Sequence, residues 1–383
     1  MKKVLHIVIS ENYQEGESYH HNVLSQKHKC MGYDVYVIAK QSYKDRDGNE
    51  FFLQPGKYTN KHGITVYLLP CTKHNPRYQM IYDMCEGLYE TIYEIKPDII
   101  FTHNFTSPDV KYIIRYAKQH PEVKVFADCH SDYFNSPVNS LWSRINSFFI
   151  RGNARRLNKV VVKFWGTTPW RVDYLKDIYK VPANKVDLLI MGASEELIVG
   201  RDIVKVRNSV REKYNIPNDA FLITTGGKLD KRKNQIVLLE AVKELANENV
   251  WLIVFGTPTQ EMQPEFARFS GVKNVIQTGW LPSEGAYDLF LASDLACFPG
   301  THSVLWEQAA ACGIPVAVKH WSGMEHINVN GNAFFLEETD TAAIKKSLLR
   351  IKNVEYAQLK RNAVICAPSF FAIKNAQKAI GEE

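Results

Sequence analysis

The first half of the chain alternates between short apolar runs and longer amphipathic segments. The runs are rich in β-branched residues, and the segments between them repeat their apolar positions with a helical period. This alternation indicates a parallel sheet with helices on both faces. The predicted strands cover residues 4–9, 35–38, 65–69, 98–102, 123–127, 160–164 and 186–190.

The same rhythm restarts after a charged, strand-poor stretch over residues 195–218. The strands predicted there cover residues 221–225, 251–255, 275–278, 295–298 and 316–318. We therefore predict an α/β protein with two doubly wound domains facing across a cleft. The first domain is 1–195, to which a helix at about 366–383 returns, and the second is 196–365. Such sheets bind ligands at the carboxyl ends of their strands, so the functional residues are expected there.

Composition narrows the classes of function. The 383 residues, of which 45% are hydrophobic and 23% charged, suffice for roughly two domains. The seven cysteines are odd in number and form no CxxC pair, which favours reduced thiols in a cytoplasmic protein. No apolar run approaches the ~20 residues of a membrane-spanning helix, so we expect a soluble, unprocessed chain.

The formal charge of +6 suits an anionic small ligand or an anionic membrane surface. The cations form no long run, and no zinc-finger, RNP or basic-zipper pattern is present. We therefore expect no nucleic-acid partner.

A glycine- and lysine-rich segment, Gly226 to Lys233, follows the predicted strand 221–225. Its paired glycines allow a ligand to approach the backbone closely, and four cations within six positions can neutralise a diphosphate. The spacing of a Walker phosphate-binding loop is absent. A solvated basic turn is the alternative interpretation.

A second polar segment, Gly300 to Ser303, follows the strand 295–298 and precedes an alanine-rich helix. The free N–H groups at the start of that helix favour an anion. Glu307 lies one turn inside the helix, where its carboxylate can accept hydrogen bonds from ribose or sugar hydroxyls. Alternatively, Thr301 and Ser303 only cap the helix and Glu307 faces solvent.

Together the two segments resemble the donor half of the retaining GT-B glycosyltransferases of family 4. These enzymes hold a nucleotide sugar with a Gly-Arg-Leu…Lys segment and a Glu-seven-residues-Glu segment that ends in Ala-x-Gly-x-Pro-Val. The resemblance places Lys228 at the family arginine and Lys233 at the family lysine, which implies that both contact the donor phosphates in catalysis. It also implies a GT-B fold of two Rossmann-like domains.

The acidic pair of the family is not retained. Counting back from Gly313 without a gap puts Gln308 at the second glutamate and Gly300 at the first. A shift of one residue puts Glu307 at the second place. We favour Glu307 for the ribose, leave Gln308 as the alternative, and expect the loop of Thr301, His302 and Ser303 to meet the diphosphate or the sugar. The further residues expected at the donor are Gly227, Thr257 and Trp280.

The first half resembles the acceptor domain of the same family. The resemblance implies that Gly16 approaches the donor phosphate, and it places His130, which follows strand 123–127, beside the donor sugar. The acceptor-binding residues expected from it are Glu17, Tyr19, Asn22, Asp128 and Asp132. Plain structural roles, a strand-to-helix turn at Gly16 and a satisfied structural histidine at His130, are the alternatives.

The run from Asp128 to Asp132 also resembles a metal ligand set. Family members need no divalent ion, and the cations of the second domain can neutralise the diphosphate instead. We therefore expect neither a metal nor a cofactor.

Residues 141–157 combine Trp142, Ile145, Phe148 and Phe149 with several arginines. This mixture suits a helix that rests on anionic lipid near a lipid-linked acceptor. Core packing is the more common use of such an aromatic stripe.

The hypothesis from sequence is transfer of a sugar, with retention, from a nucleotide donor to a glycan or lipid-linked glycan hydroxyl. The expected leaving group is UDP, the expected pathway is surface polysaccharide synthesis, and the expected location is the cytoplasm or the inner face of the membrane. A nucleotide-sugar epimerase and a non-catalytic scaffold with the same fold are the alternatives.

Overall fold

The computed structural model describes residues 1–15, 19–44, 50–72 and 84–382. The chain divides into two compact units, Met1–Met191 with Ala372–Glu383, and Gly192–Phe371. The boundaries expected from sequence, after residue 195 and before residue 366, lie a few residues away from these. We call the two parts the first unit and the second unit.

The first unit is built on an eight-stranded sheet of order β10-β9-β8-β7-β1-β2-β6-β5. Every neighbouring pair is parallel except β5 with β6. A short antiparallel pair, β3 and β4, lies apart from it. The strands are β1 Lys3–Val8, β2 Asp34–Lys40, β3 Ser42–Lys44, β4 Glu50–Phe52, β5 Gly56–Thr59, β6 Thr65–Leu69, β7 Ile99–Thr102, β8 Lys124–Cys129, β9 Val161–Gly166 and β10 Val186–Leu188.

Helices cover the two faces of this sheet and bury two apolar clusters against it. The helices are α1 His20–Cys30, α2 Leu88–Ile95, α3 Val110–Gln119, α4 Leu141–Leu157 and α5 Pro169–Asp177, and α13 Ala372–Ala379 returns from the end of the chain. Helix α13 packs against the first unit, where Ala376 and Ala379 are buried with residues of β1 and β2.

The second unit has a six-stranded, fully parallel sheet of order β13-β12-β11-β14-β15-β16. Its strands are β11 Phe221–Gly226, β12 Val250–Phe255, β13 Val275–Gly279, β14 Leu295–Phe298, β15 Val316–Lys319 and β16 Ala333–Leu336. Its helices are α6 Ile203–Lys213, α7 Gln235–Lys243, α8 Gln263–Ala267, α9 Ser283–Ala292, α10 Leu305–Ala311, α11 Thr341–Arg350 and α12 Tyr356–Cys366.

All twelve strands that the sequence predicts are present, with bounds shifted by a few residues. They are recognisable because a strand buried on both faces is a nearly continuous apolar run. The strands β3, β4, β5 and β16 were not predicted. The exposed side chains of β4 and β5 give these two strands no such run. The prediction of a doubly wound α/β architecture in each half is confirmed.

Both sheets reverse their winding direction beside the first strand of the unit, between β1 and β7 and between β11 and β14. Ligands bind open α/β sheets at the carboxyl ends of the strands beside such a reversal. The loops after these strands therefore define one candidate site in each unit.

Within the described ranges, no helix has the length and apolar character needed to cross a membrane. All seven cysteines are free thiols, and six of them are buried.

Candidate functional site

In the second unit, a glycine turn connects β11 to the basic loop. Gly227 has φ of 101°, and an added Cβ would lie 2.9 Å from the Leu305 side chain at the start of α10. Gly256, with φ of 118°, packs so closely that an added Cβ would lie 2.0 Å from the oxygen of Gly227. Only glycine fits both positions without rearrangement, because the ends of β11 and β12 and the start of α10 lie close together.

Lys233 joins the two segments that the sequence singled out. Its ammonium donates to the main-chain oxygens of Thr301, at 3.0 Å, and His302, at 2.6 Å. An ammonium has three hydrogens, so these two bonds leave one for a ligand within the described part of the unit. Burial lowers the pKa of Lys233 to about 8, although Asp230 acts in the opposite direction.

The loop after β14 is held to the basic loop through Gly300. The amide of Thr301 donates to the main-chain oxygen of Arg232 at 3.1 Å, and so this amide is not available for an anion. A Cβ on Gly300 would lie 2.3 Å from the carbonyl carbon of Lys233. The place of the family's first glutamate therefore has no room for any side chain.

Glu307 is only 1% exposed, and one of its carboxylate oxygens is shared by two imidazoles. The Nε2 atoms of His302 and His326 lie 2.8 and 2.9 Å from Oε1. Burial raises the pKa of Glu307, but the two histidines outweigh it and bring the pKa to about 2. The Oε2 atom is buried and has no hydrogen-bond partner among the described residues. Gln308, the next residue, is half-buried.

The other residues predicted at the donor lie on the surface of the same unit. Lys228, Thr257 and Trp280 are exposed, and Ser303 is half-buried. The guanidinium of Arg232 forms an ion pair with Asp230 at 2.7 Å. The structure thus brings Gly227, Lys233 and the Thr301 loop together and leaves Lys228 solvated.

In the first unit, the ends of β7 and β8 converge on the carboxylate of Asp128, which is fully buried. The amide of Asn104 donates to Oδ1 at 2.7 Å. Three imidazole nitrogens surround Oδ2: His103 Nδ1 at 2.9 Å, His20 Nδ1 at 3.3 Å and His130 Nε2 at 3.3 Å. We call these four residues the Asp128 cluster. Asp128 was expected to contact an acceptor, but its burial leaves no exposed oxygen for one.

Glu11, at the start of the loop after β1, adjoins this cluster. Its Oε1 lies 3.6 Å from His130 Nε2 and its Oε2 lies 3.3 Å from His21 Nδ1. Burial opposes ionisation, but His130 and His21 outweigh it and lower the pKa of Glu11 to about 2. Burial lowers the pKa of His130, but Glu11 and Asp128 together raise it by more than burial lowers it. The net shift of the His130 pKa is therefore upward.

A chain of imidazoles continues from the cluster into the core. His103 Nε2 lies 2.9 Å from His6 Nδ1, His6 Nε2 lies 2.9 Å from His28 Nδ1, and His28 Nε2 lies 2.8 Å from the oxygen of Ala376 in α13. Burial lowers the pKa of His6, and burial also lowers the pKa of His28 to about 4. Both rings are therefore neutral at pH 7.

The remaining residues predicted at the acceptor are placed differently from one another. Tyr19 is exposed just before α1, whereas Asn22 is buried and donates to the oxygen of Gln14 at 2.7 Å. Asp132 accepts from the amides of Phe134 and Asn135 and pairs with Arg171 at 3.4 Å, so its observed contacts stabilise its own turn. Gly16 and Glu17 lie outside the described residues.

Helix α4 carries an exposed apolar face on its first half. The exposed side chains are Leu141, Trp142, Ile145, Phe148 and Phe149, while burial begins at Ile150. Phe148 is 73% exposed, and Arg144 and Arg151 are exposed beside this face. The alternative that the aromatic stripe packs into the core is wrong for these five side chains.

Three groups among the described residues have the side chains and spacing to hold a metal ion. They are His20 with His103 and Asp128, Glu11 with Asp128 and His130, and His302 with Glu307 and His326. The sequence predicted His130, Asp128, His302 and Glu307 as site residues. It missed His6, His20, His28 and His326 as site residues. For His20 and His28 the position on α1 gave no signal, because helix periodicity does not say which strand end a residue meets.

Parts of the chain are similar in sequence to known glycosyltransferases. Residues 206–364 match the model of the family described as glycosyl transferases group 1. The lipopolysaccharide core biosynthesis glycosyltransferase LpsD of Rhizobium meliloti is 25% identical over 182 residues, which are 45% of this chain and 51% of LpsD. The match thus spans about half the length of that relative.

Solved structures resemble the whole chain. Anabaena HepE, solved with UDP-glucose, has a TM-score of 0.68 and 14% identity, with 99% of this chain and 98% of that chain covered. Sucrose-phosphate synthase from Thermosynechococcus elongatus has a TM-score of 0.67 and 15% identity, with 100% and 98% covered. The chain therefore has the GT-B fold, and its second unit matches the group 1 glycosyl transferase family.

Proposed function

We propose that this protein is a glycosyltransferase that moves a sugar from a nucleotide-sugar donor to a hydroxyl group of an acceptor. The observation that carries the proposal is the position of Lys233, whose ammonium is fixed between two glycine-lined loops at the carboxyl ends of β11 and β14. The GT-B fold and the group 1 family match of the second unit support it.

Lys233 supplies the positive charge that the reaction needs. Departure of a nucleoside diphosphate develops negative charge on the oxygen that leaves the sugar, and a fixed donor stabilises that charge more than a mobile one does. Lys233 is held by Thr301 and His302, so its third hydrogen is already oriented. Lys228 adds a second, mobile cation. With these cations the diphosphate needs no metal ion for charge neutralisation.

We propose Gln308, rather than Glu307, as the residue that meets the ribose. Glu307 is buried and its ionised oxygen is engaged by His302 and His326. An amide can both donate to and accept from a ribose hydroxyl, and Gln308 is half-buried instead of enclosed. Glu307 then orients His302, which keeps the loop against Lys233.

The proposed role of His130 is to lie beside the donor sugar and the reacting hydroxyl. Glu11 and Asp128 raise its pKa against the effect of burial, so the imidazolium is stabilised near neutral pH. A positive ring at this point stabilises negative charge on the reacting oxygens. Transfer with retention requires no carboxylate pair of the glycosidase kind, because the leaving phosphate can act as the base.

The nucleotide we propose is UDP, since Anabaena HepE, which has the same fold, was solved with UDP and with UDP-glucose. The acceptor we propose is a lipid-linked glycan of a surface polysaccharide. The relation to LpsD supports this class, and so does the exposed apolar face of α4 with its flanking arginines, which suits the surface of an anionic bilayer. The site of action would be the inner face of the membrane.

Titration calorimetry of the purified protein with UDP and a panel of UDP-sugars tests the proposal. We expect binding that weakens by about 5-fold in Gln308→Ala, since loss of a neutral hydrogen bond costs about 1 kcal/mol. The exposed Gln358 of α12 provides the control variant Gln358→Ala. Failure of every common nucleotide sugar to bind would favour a non-catalytic scaffold. Conversion of a bound donor into an isomer without acceptor would indicate an epimerase.

A further inference from the structure

Two cysteines of the first unit, Cys71 just after β6 and Cys85 just before α2, face each other across an isolated antiparallel bridge. The bridge is closed by two main-chain hydrogen bonds between the flanking residues, from Thr72 N to Met84 O at 3.0 Å and from Glu86 N to Pro70 O at 2.9 Å. Because the flanking residues make these bonds, Cys71 and Cys85 form a non-hydrogen-bonded pair of an antiparallel ladder.

A non-hydrogen-bonded pair brings its side chains closer together than a hydrogen-bonded pair does. The Cα atoms of such a pair are about 4.5 Å apart, and its side chains project from the same face of the two strands. A disulfide requires Cα atoms roughly 4.4–6.8 Å apart and Cβ atoms that point toward each other. The main-chain arrangement of Cys71 and Cys85 therefore meets the distance condition for a disulfide, although both are free thiols in this structure.

The contacts around the pair favour this register. The amide of Cys85 faces away from Cys71 and donates at 2.7 Å to Oδ2 of Asp109, at the start of α3. The thiol of Cys71 donates to Ser42 Oγ at 3.5 Å, and a thiol is a weak donor. Formation of a disulfide would replace the weak bond to Ser42 and leave the main-chain bond to Asp109 in place.

The two thiols are less deeply buried than the cysteines inside the sheets. Cys71 and Cys85 are each 5% exposed, whereas Cys129 in β8 and Cys297 in β14 are 0% exposed. Burial raises the pKa of both strand cysteines to about 12. Because the thiolate is the reactive form, Cys129 and Cys297 are inert toward oxidants at neutral pH. Of these four thiols, a small oxidant can reach Cys71 and Cys85.

We propose that Cys71 and Cys85 form a reversible disulfide when a peroxide oxidises the protein. One thiolate attacks the peroxide, so an S–O bond forms, the O–O bond breaks, and a sulfenic acid and one water result. The second thiol then attacks the sulfenic sulfur, so the S–S bond forms, the S–O bond breaks and a second water leaves. Two thiols are oxidised and one peroxide is reduced to two waters.

The disulfide ties the end of β6 to the start of α2. It closes a ring over residues 71–85, which restricts the unfolded chain and stabilises the folded one. In a cytoplasmic protein a disulfide of this kind is transient and acts as a redox sensor. This modification site goes beyond the proposed transferase function and does not depend on it.

Peptide mapping of the unaltered, folded protein tests the proposal. The protein is treated with hydrogen peroxide, its remaining thiols are alkylated after unfolding, and it is digested with trypsin. Trypsin can cut after Lys73 and Arg77, which lie between the two cysteines in sequence, so the disulfide appears as a linked pair of peptides in the mass spectrum. We expect the Cys71–Cys85 pair, and dithiothreitol should restore both thiols. The oxidised protein should also melt about 5 °C higher than the reduced protein.

Variants separate this disulfide from general oxidation. In Cys85→Ser the melting temperature should no longer rise on oxidation. Cys30→Ser is the matched control, because Cys30 is exposed in the same unit, and it should behave like the unaltered protein. Absence of the Cys71–Cys85 pair from the oxidised, unaltered protein would overturn the proposal. Equal yields of peptides that link either cysteine to Cys30 would overturn it as well, and so would a lower melting temperature after oxidation.

Discussion

Lys233 and His302, which are 69 residues apart in sequence, are joined by a hydrogen bond of 2.6 Å from the Lys233 ammonium to the His302 main-chain oxygen. The bond fixes a cation at the carboxyl end of the sheet in the second unit. It also connects the basic loop to the loop that contains the altered acidic motif. The proposed donor site is organised around this contact.

Replacement of Lys233 tests the charge that we assign to the leaving group. Lys233→Ala should lower the turnover number by ~10²-fold or more, as loss of other charge-stabilising donors does. Steady-state kinetics with the donor identified by calorimetry would measure it. Lys231→Ala is the control, because Lys231 belongs to the same loop but is exposed. Near-normal turnover in Lys233→Ala would refute the phosphate assignment.

The pH dependence of donor affinity should follow the same side chain. Because burial lowers the pKa of Lys233 to about 8, the ammonium is present below that pH and is lost above it. Affinity for UDP should therefore fall as the pH rises from about 7 through 8. In Lys233→Arg the fall should disappear, since a guanidinium stays protonated throughout this range. A fall of equal size in both proteins would show that another group titrates.

The glycine at position 300 should resist substitution. In Gly300→Ala the new Cβ would meet the Lys233 main chain at 2.3 Å, so we expect a loss of about 1–3 kcal/mol in the free energy of unfolding. Denaturant titration measures this loss. Gly285→Ala is the control, because its Cβ would meet only side-chain atoms of Leu281, at 3.5 Å and beyond, within helix α9. A helix interior favours alanine over glycine, so the control should be neutral or more stable.

The exposed face of α4 should bind anionic membranes. Phe148→Ser should weaken binding to vesicles rich in anionic lipid by about tenfold or more, because burying a phenylalanine side chain contributes roughly 1.5–3 kcal/mol. Vesicle sedimentation measures the affinity. Val354→Ser removes a similarly exposed apolar side chain from the second unit and serves as the control. Equal binding of the Phe148 variant and the unaltered protein would exclude this face as the contact.

Much of the fold could be predicted because its physical causes are local. The runs that became β11 and β12 are apolar on both faces, and β-branched residues at that density in short segments indicate buried parallel strands. Gly226 to Lys233 could be selected as a ligand loop for a similar reason, since glycines and cations directly after a strand have few structural uses. Strand β5 was missed because it lies at the edge with exposed side chains.

The choice between Glu307 and Gln308 could not be made from sequence. Adjacent residues on a helix point about 100° apart, and which of them faces the core depends on what packs there. The structure buries Glu307 because His326, from a loop after β15, and His302 both meet its carboxylate. A carboxylate that looked solvent-facing or ligand-binding in sequence is therefore enclosed.

The sequence by itself determined the two doubly wound halves and the loop that places Lys233 at a strand end, because each depends on patterns within a few tens of residues. Only the tertiary structure decided the Asp128 cluster. His20 and Asp128 are 108 residues apart, and His103 and Asp128 are 25 apart, yet all three meet at one carboxylate oxygen. Their convergence follows from the order of β1, β7 and β8 in the sheet and from the rotation of α1 about its axis, and neither is a property of any single segment of the chain.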